Sequence, residues 1–330
     1  MPEAAGAPRF SLRRESNRGP QFADEVRAGL SAVTKSIPPR YFYDELGSAL
    51  FGAICHLPEY YLTRAETEIL TAHRREIAAQ LGAVSRLVEL GSGDARKTRL
   101  LLDQLAAAGE LEYIPIDIDV SLLQRTGREL LAEYPALTVT AAASDFRRPS
   151  RALAEILTPG RRTAVLFLGS TIGNLDRAES VAMLRDVRSV LSHGDPMLIG
   201  ADLRKAKAVL DAAYDDSLRV TAAFNLNLLQ RINRELGGHF DLRSFAHQAF
   251  YDEERGRVEM HLVSLREQSV RIDALAMEIA FQEGESIHTE NSYKYDEGLI
   301  GEMAAESGFE PVRHWTDGRG WFGEFLLAAR

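Results

Sequence analysis

From about residue 64 the apolar positions fall into two alternating rhythms. Residues 63–80 carry Ile69, Leu70 and Ile77 at helical spacing, and 85–91, Ser-Arg-Leu-Val-Glu-Leu-Gly, reads as a short buried strand stopped by glycine. The same reading gives helices over 97–109, with Leu100, Leu101, Leu102 and Leu105, and over 121–134, 150–157 and 177–191. Between them, strands are predicted at 111–117, 137–142, 163–168 and 196–203. Five strands separated by helices predict an α/β fold, a doubly wound, Rossmann-like parallel sheet with right-handed crossovers, whose ligands sit beyond the carboxyl ends of the strands.

After Asp202 the rhythm changes. A helical stretch over 205–236 precedes segments that read as antiparallel strands, 257–265, 269–272 and 276–281, with Glu-Gly-Glu at 283–285 as a turn. A last helix over 297–307 leads to strands 309–315 and 321–328, a terminal antiparallel hairpin that extends the parallel sheet. The pattern assigns 64–203 and 295–330 to one α/β domain, into which an α+β block over 204–294 is inserted, packing with 21–63. Residues 1–20 place Arg9, Arg13, Arg14 and Arg18 among small and polar residues with no apolar segment of secretory type, and read as a disordered tail.

Composition narrows the partners. The 330 residues are 45% hydrophobic and 26% charged, enough for one large core and a smaller lobe. A net charge of -9 disfavours affinity built on phosphate neutralisation, so no nucleic-acid partner is expected. No apolar run approaches the roughly 18 residues that span a bilayer, so no membrane partner is expected either. Cys55 is the only cysteine, which rules out an intramolecular disulfide and a thiolate-rich metal site and fits a cytoplasmic protein. The eight histidines show no HExxH or similar spacing, and no metal is expected. No obligate protein partner is expected.

The turn after the first strand, Glu89-Leu-Gly91-Ser92-Gly93-Asp94-Ala95-Arg96-Lys97, lets backbone approach a ligand. A dinucleotide fingerprint needs a small residue where Arg96 stands. The acidic-x-Gly-x-Gly form resembles the first motif of class I S-adenosylmethionine (SAM) methyltransferases, in which the acidic residue and open turn accommodate the methionine moiety. At the end of the second strand, Asp117 is the candidate for a ribose diol, and Asp119 reads better as a helix cap. At the end of the third, Asp145 offers an acceptor to an adenine amino group beside the Phe146 ring.

Longer motifs are more specific. Pro38-Pro39-Arg40-Tyr41-Phe42-Tyr43-Asp44, Leu57-Pro58-Glu59-Tyr60-Tyr61-Leu62-Thr63-Arg64-Ala65-Glu66, Phe167-Leu168-Gly169-Ser170-Thr171-Ile172-Gly173-Asn174, Ala213-Tyr214-Asp215-Asp216, Phe224-Asn225 with Ile232-Asn233-Arg234-Glu235, and Thr289-Glu290-Asn291-Ser292 stand in order along the chain. Together, over roughly residues 25 to 330, they resemble the histidine-specific N-alpha-methyltransferases of ergothioneine biosynthesis. The resemblance implies a SAM-dependent class I methyltransferase domain with an inserted substrate-binding domain, and trimethylation of the α-amine of L-histidine to hercynine. It implies cofactor contacts at Gly91, Lys97, Asp117, Asp145 and Phe146. It implies contacts to the small-molecule substrate L-histidine at Tyr43, Tyr60, Gly169, Asn174, Tyr214, Met260, Glu290 and Ser292, with Tyr43 and the Gly169 carbonyl as the catalytic acceptors near the amine.

Several of these residues have plainer readings. Asn174 also suits a cap for the helix over 177–191, Tyr214 a packed surface aromatic, and Met260 a core position beside Val258 and Leu262. Glu290 and Ser292 share one face of an extended segment, which suits the N–H donor and ring-nitrogen acceptor of a neutral imidazole and equally suits an exposed edge. In a regular strand His288 falls on that same face and reads as exposed. The alternatives for function are an N-methyltransferase of another amino acid, such as tryptophan or a derivative, and a catalytically silent SAM-binding module.

Overall fold

A computed structural model describes residues 9–14, 21–147, 149–157 and 160–330. In chain order its elements are β1 (Phe10–Arg14), α1 (Phe22–Ser31), α2 (Glu45–Ile54), α3 (Leu62–Leu81), β2 (Arg86–Leu90), α4 (Arg99–Leu105), β3 (Leu111–Asp117), α5 (Val120–Glu133), β4 (Leu137–Ala143), α6 (Pro149–Leu153) and β5 (Thr163–Phe167). There follow α7 (Arg177–Arg188), β6 (Pro196–Asp202), α8 (Lys207–Tyr214), α9 (Val220–Leu236), β7 (Phe245–Asp252), β8 (Arg257–Ser264), β9 (Gln268–Ile272), β10 (Met277–Phe281), β11 (Ser286–Tyr293), α10 (Glu297–Glu306), β12 (Phe309–Thr316) and β13 (Phe322–Ala329). The chain forms two compact units. The first comprises β1, Arg64–Leu203 and Tyr295–Arg330; the second comprises residues 21–63 and Arg204–Lys294.

The first unit is built on one eight-stranded sheet of order β1-β4-β3-β2-β5-β6-β13-β12. Its first six strands are parallel, β13 runs antiparallel to β6, and β12 antiparallel to β13. β2 and β5 are buried at every position, as strands covered on both faces must be, and this explains their mainly apolar reading. Crossover helices begin where the sequence supplies caps. The Asp119 carboxylate accepts from Leu122 N–H at 2.9 Å to start α5, and Asp176 with Glu179 forms a capping box at α7. After β6 the chain leaves this unit, and it returns at Tyr295, whose N–H donates to the Asp202 carbonyl at 2.9 Å.

The disordered-tail reading of 1–20 fails at Phe10–Arg14, while 1–8 and 15–20 lie outside the described residues. β1 pairs in parallel with β4, whose outer edge otherwise presents unpaired backbone groups. The Phe10 ring fills the space left by Gly127 on α5, where any Cβ would lie well inside van der Waals contact with it. Arg9 donates to the carbonyls of Leu137 and Tyr134 at 3.1 and 2.7 Å. The segment is short and arginine-rich, and the partners that order it are more than 110 residues away, so no local pattern marks it.

The second unit holds a three-stranded antiparallel sheet, β11-β8-β7, a two-stranded ribbon, β10-β9, and α1, α2, α8 and α9. The helix expected over 205–236 is two helices. Asp216, between them, accepts from the N–H groups of Val220 and Thr221 at 2.9 and 2.7 Å, and Arg219 turns left-handed at φ +62° to start α9. Strand β7 was absent from the pattern of strands, β11 was read only as an extended segment around Glu290 and Ser292, and the helix expected over 150–157 ends at Leu153. Phe224 of α9 receives Phe42, Tyr43 and Phe51 around it, with ring centroids 4.6, 5.8 and 6.1 Å away.

Candidate functional site

In the first unit the site grows out of the β2–α4 turn. Gly91, Gly93 and Ala95 all have positive φ, and the N–H groups of Gly91 and Ser92 both donate to the Ile116 carbonyl, at 2.8 and 3.2 Å. Asp117 secures the same turn: one carboxylate oxygen accepts from Gly93 N–H at 2.9 Å and the other from Asp119 N–H at 3.0 Å. Burial raises its pKa, and the two backbone donors work against that rise. A Cβ at Gly93 would meet nothing within 4 Å, so the turn is open on that side. Phe146 packs on Phe167 at 5.4 Å, and its ring edge lies 3.8 Å from where a Gly91 Cβ would stand. Asp145 is gripped by Arg147 through Nε and a terminal nitrogen, at 2.9 and 2.5 Å.

Glu89, the acid of the turn motif, is fully buried beneath it. Its carboxyl accepts from Thr98 at 2.8 and 2.7 Å and from the Tyr113 hydroxyl, and burial pushes its pKa up to about 7. Its present partners hold α4 and β3 to β2. At the end of β5, Gly169 has φ +78° and Ser170 φ +57°, a left-handed pair that turns the chain sharply into the short 3-10 helix Thr171–Asn174. Gly169 N–H donates to Glu66 at 2.5 Å, and the other oxygen of Glu66 takes the Lys97 ammonium. Lys97 Nζ lies 3.3 Å from where a Gly169 Cβ would stand. Asn174 closes the 3-10 helix and does not cap α7, because Asp176 does. The first unit thus brings Gly91, Lys97, Asp117, Phe146 and Gly169 to neighbouring strand ends.

In the second unit, Glu290 of β11 stands directly opposite Met260 of β8, and Ser292 opposite Val258. All four are buried, Glu290 at 8% and Ser292 at 4% exposure, which removes the exposed-edge reading. A β-bulge between His288 and Glu290 makes this possible. It turns Glu290 and Ser292 to the buried face and leaves His288, which meets Asn291 Oδ1 at 2.8 Å, on the other, so the same-face placement of His288 is corrected. Tyr214, at the end of α8, is a buried residue and no surface aromatic. Its hydroxyl lies 2.7 Å from Ser292 Oγ, and its ring is 6.3 Å from that of Tyr60. Burial first, and then the neighbouring Tyr214, Cys55, Tyr43 and Glu290, raise the Tyr60 pKa well above the ordinary phenol value, which keeps it a donor. Tyr43 packs edge-on to Phe51 and Phe224 at 5.6 and 5.8 Å.

Two residues of this cluster, Lys294 and His247, carry no sequence flag. Lys294, 1% exposed, donates to Ser292 Oγ at 2.8 Å and to the Tyr214 hydroxyl at 3.0 Å. His247 donates through Nε2 to the Tyr214 carbonyl at 2.9 Å, while its Nδ1 accepts from Asn225 at 2.9 Å. A carbonyl can only accept, so these partners fix the tautomer of a neutral ring, and burial lowers its pKa. Asn225 stands in a quoted motif, but neither Lys294 nor His247 has a pattern that separates it from an ordinary strand residue. Other motif residues are structural: Asp44 accepts from Gly47 N–H, Asn227 and Arg234 at 2.7, 2.8 and 2.6 Å, and Glu59 from the Ser217 hydroxyl at 2.6 Å.

The sheet order, the antiparallel β13 inserted beside β6 and the open glycine turn above Asp117 define the first unit as a class I methyltransferase domain. Comparison with known proteins narrows the class. The model of a family described as "Histidine-specific methyltransferase, SAM-dependent" matches residues 22–329, and the chain belongs to that family. It is 46% identical over 308 residues to the histidine N-alpha-methyltransferase of Mycolicibacterium smegmatis, covering 93% of this chain and 94% of that one. Identity to the histidine N-alpha-methyltransferase of Mycobacterium tuberculosis is 44% over 305 residues, 92% of this chain and 94% of that one. A third of the longer ergothioneine biosynthesis protein 1 of Neurospora crassa matches 89% of the chain at 32% identity.

Proposed function

We propose that this protein transfers three methyl groups in succession from SAM to the α-amine of L-histidine, giving hercynine, the first step towards ergothioneine. The observation that carries the substrate is the buried face shared by Glu290, Ser292 and Met260. A neutral imidazole has one N–H donor and one ring-nitrogen acceptor; Glu290 accepts the first and the Ser292 hydroxyl serves the second, with Met260 against the ring. An indole offers no ring acceptor to that hydroxyl, and a desolvated Glu290 penalises substrates that leave it unpaired. Tyr60 and Tyr214 bound the same cluster, and Asn174 and Tyr214 are assigned to the substrate carboxylate.

The residues of the first unit fit SAM. Asp117 presents carboxylate oxygens for a ribose diol, the Gly91–Gly93 turn leaves open space for the methionine end, and Phe146 offers a ring face for the adenine. Asp145 is assigned to the adenine amino group, from its place beside Phe146, and must share its oxygens with Arg147. When bound, SAM supplies a methyl group activated on a sulfonium sulfur. What the chain adds is alignment and acceptors for the positive charge that grows on nitrogen. The Gly169 carbonyl and the Tyr43 hydroxyl take that role, and the aromatic rings around Tyr43 suit a bulky methylated cation.

An α-amine, with a pKa of about 8 even in peptides, is mostly protonated at neutral pH, so one proton leaves the nitrogen before each transfer. No side chain is assigned as the base, and the proton leaves to solvent or through a tyrosine–water chain. On this reading the first unit binds SAM and the second binds the amino acid. The protein works in the cytoplasm on a free small molecule, with no nucleic-acid, membrane or obligate protein partner. The test is incubation of purified protein with SAM and L-histidine, with tryptophan and tyrosine alongside, read by mass spectrometry. Selective trimethylhistidine is the expected product. SAM binding without methylated histidine sinks the substrate assignment, and methylated tryptophan supports the alternative acceptor.

A further inference from the structure

Beneath the β5 turn lies a buried group of charges whose role is not accounted for by the cofactor and substrate assignments. Glu66 of α3 is 1% exposed and spends both carboxylate oxygens, one on the Gly169 N–H at 2.5 Å and one on the Lys97 ammonium. Glu324 of β13 is fully buried beside it. Both carboxyl groups occupy space that exists because β6 carries glycine at 200: a Cβ there would lie 2.5 Å from Glu66 Oε1 and 3.1 Å from Glu324 Oε1. Burial, and then the Glu66 charge, raise the Glu324 pKa well above the ordinary carboxyl value, while Lys97 pulls the other way. Burial works against the Lys97 charge, but Glu66 outweighs it and holds the Lys97 pKa raised. Glu66 is thus paired with Lys97, and burial pushes Glu324 beside them towards its protonated form.

We propose that Glu66 is a positioning residue for methyl transfer: a single buried carboxylate fixes the Gly169 peptide and the Lys97 ammonium relative to one another. The inference rests on the reading of Gly169 as the backbone acceptor near the substrate amine. The turn after β5 is left-handed at two successive residues and must be held. Thr171 Oγ1 donates to the Leu168 carbonyl at 2.9 Å, Asp202 N–H donates to Ser170 Oγ at 2.9 Å, and Glu66 holds the Gly169 N–H between them. Its two partners are both donors and each takes a separate oxygen, so in this geometry only a group with two acceptor oxygens satisfies both. A glutamine offers one. In Glu66→Gln the ammonium takes the amide oxygen, and the amide NH2 is left facing the Gly169 N–H. The Lys97 side of the site is thereby kept and the Gly169 side lost.

The test separates these two sides. For Glu66→Gln the expected result is a fall in kcat of about tenfold or more at saturating SAM and histidine, with the Kd for SAM by calorimetry within about threefold of wild type. Gly200→Ala displaces the Glu66 carboxylate without removing its charge and is expected to show the same split. Folded variants of both kinds with kcat within about threefold of wild type overturn the proposal, as does a loss that vanishes at saturating SAM, which would tie Glu66 to the cofactor alone. If one variant fails to fold, the other decides; failure of both makes the cluster purely structural and overturns the proposal. Wild-type protein that does not methylate histidine refutes the proposed function instead, so the two failures are distinguishable.

Discussion

Lys294 donates from a buried ammonium to Ser292, two residues before it on the chain, at 2.8 Å, and reaches the Tyr214 hydroxyl at 3.0 Å. An ammonium has no acceptor, so both hydroxyl oxygens receive from it. Tyr214 and Ser292 also lie 2.7 Å apart and share one hydroxyl proton between them. While that bond stands, one of the two hydroxyl protons remains for a third group, and both side chains donate to a substrate only once it opens. Lys294 thus couples the two side chains: whether Ser292 or Tyr214 gives that proton decides which of them is a donor towards a ligand. Lys294→Met keeps the bulk and removes the coupling. The expected outcome is a rise in the KM for histidine of about tenfold, with SAM affinity unchanged, read by steady-state kinetics and calorimetry.

Glu290 is the residue on which histidine selectivity turns. A hydrogen bond to a charged group contributes about 1.5 to 3 kcal/mol, so Glu290→Ala is expected to lower kcat/KM for histidine by roughly 10- to 100-fold. Its neighbours Met260 and Ser292 stay in place, and SAM lies outside its reach on this assignment, so the SAM Kd is expected to hold. Unchanged histidine kinetics in a folded variant would remove the imidazole contact from the model.

The parallel sheet was legible because its central strands are short, mainly apolar runs that the fold buries at every position, and its helices are periodic and carry caps such as Asp119 and Asp176. The terminal hairpin was legible for the same reason: β13 is almost wholly buried. What escaped depends on distant partners. β1 exists because of β4 and Gly127, and the break between α8 and α9 because Asp216 captures the backbone N–H groups that start a new helix. The site residues came through family motifs, and those motifs do not say what each member does. Glu66 stood inside one, yet only the fold reveals that it reaches Gly169 and Lys97. The bulge before Glu290 is likewise invisible to a period-two reading, which would have put His288 on the same face.

If β1 is held by its ring, Phe10→Ala should release it. The substitution removes a half-buried aromatic from the groove over Gly127, at an expected cost of about 1 to 3 kcal/mol in urea denaturation. Hydrogen exchange offers the sharper measurement. The Val139 amide, which donates to the Arg9 carbonyl at 2.7 Å, should lose protection while the amides of β2 keep theirs. Val139 protection unchanged in the variant would mean that backbone pairing alone holds the strand.

Glu89 sets a pH dependence whose sign follows from its burial. Folded, its pKa is about 7 against an ordinary value of 4.5, with desolvation outweighing the Tyr113 and Thr98 hydrogen bonds and the Lys97 charge. Between those two values the folded chain keeps a proton that the unfolded chain has released. Unfolding then sheds a proton, so stability falls as pH rises from about 4.5 to about 7 and levels off above. For this fully buried group the full swing is on the order of 3 kcal/mol. Glu89→Gln is neutral at every pH and nearly isosteric, so the difference in unfolding free energy between wild type and variant should change by that amount between pH 4.5 and 8. Comparing the two removes the contribution of Glu324, whose raised pKa acts in the same direction in both proteins. A difference that stays flat across this range would mean that Glu89 is ionised in the folded state, and the β2–α4 turn would then rest on a buried carboxylate.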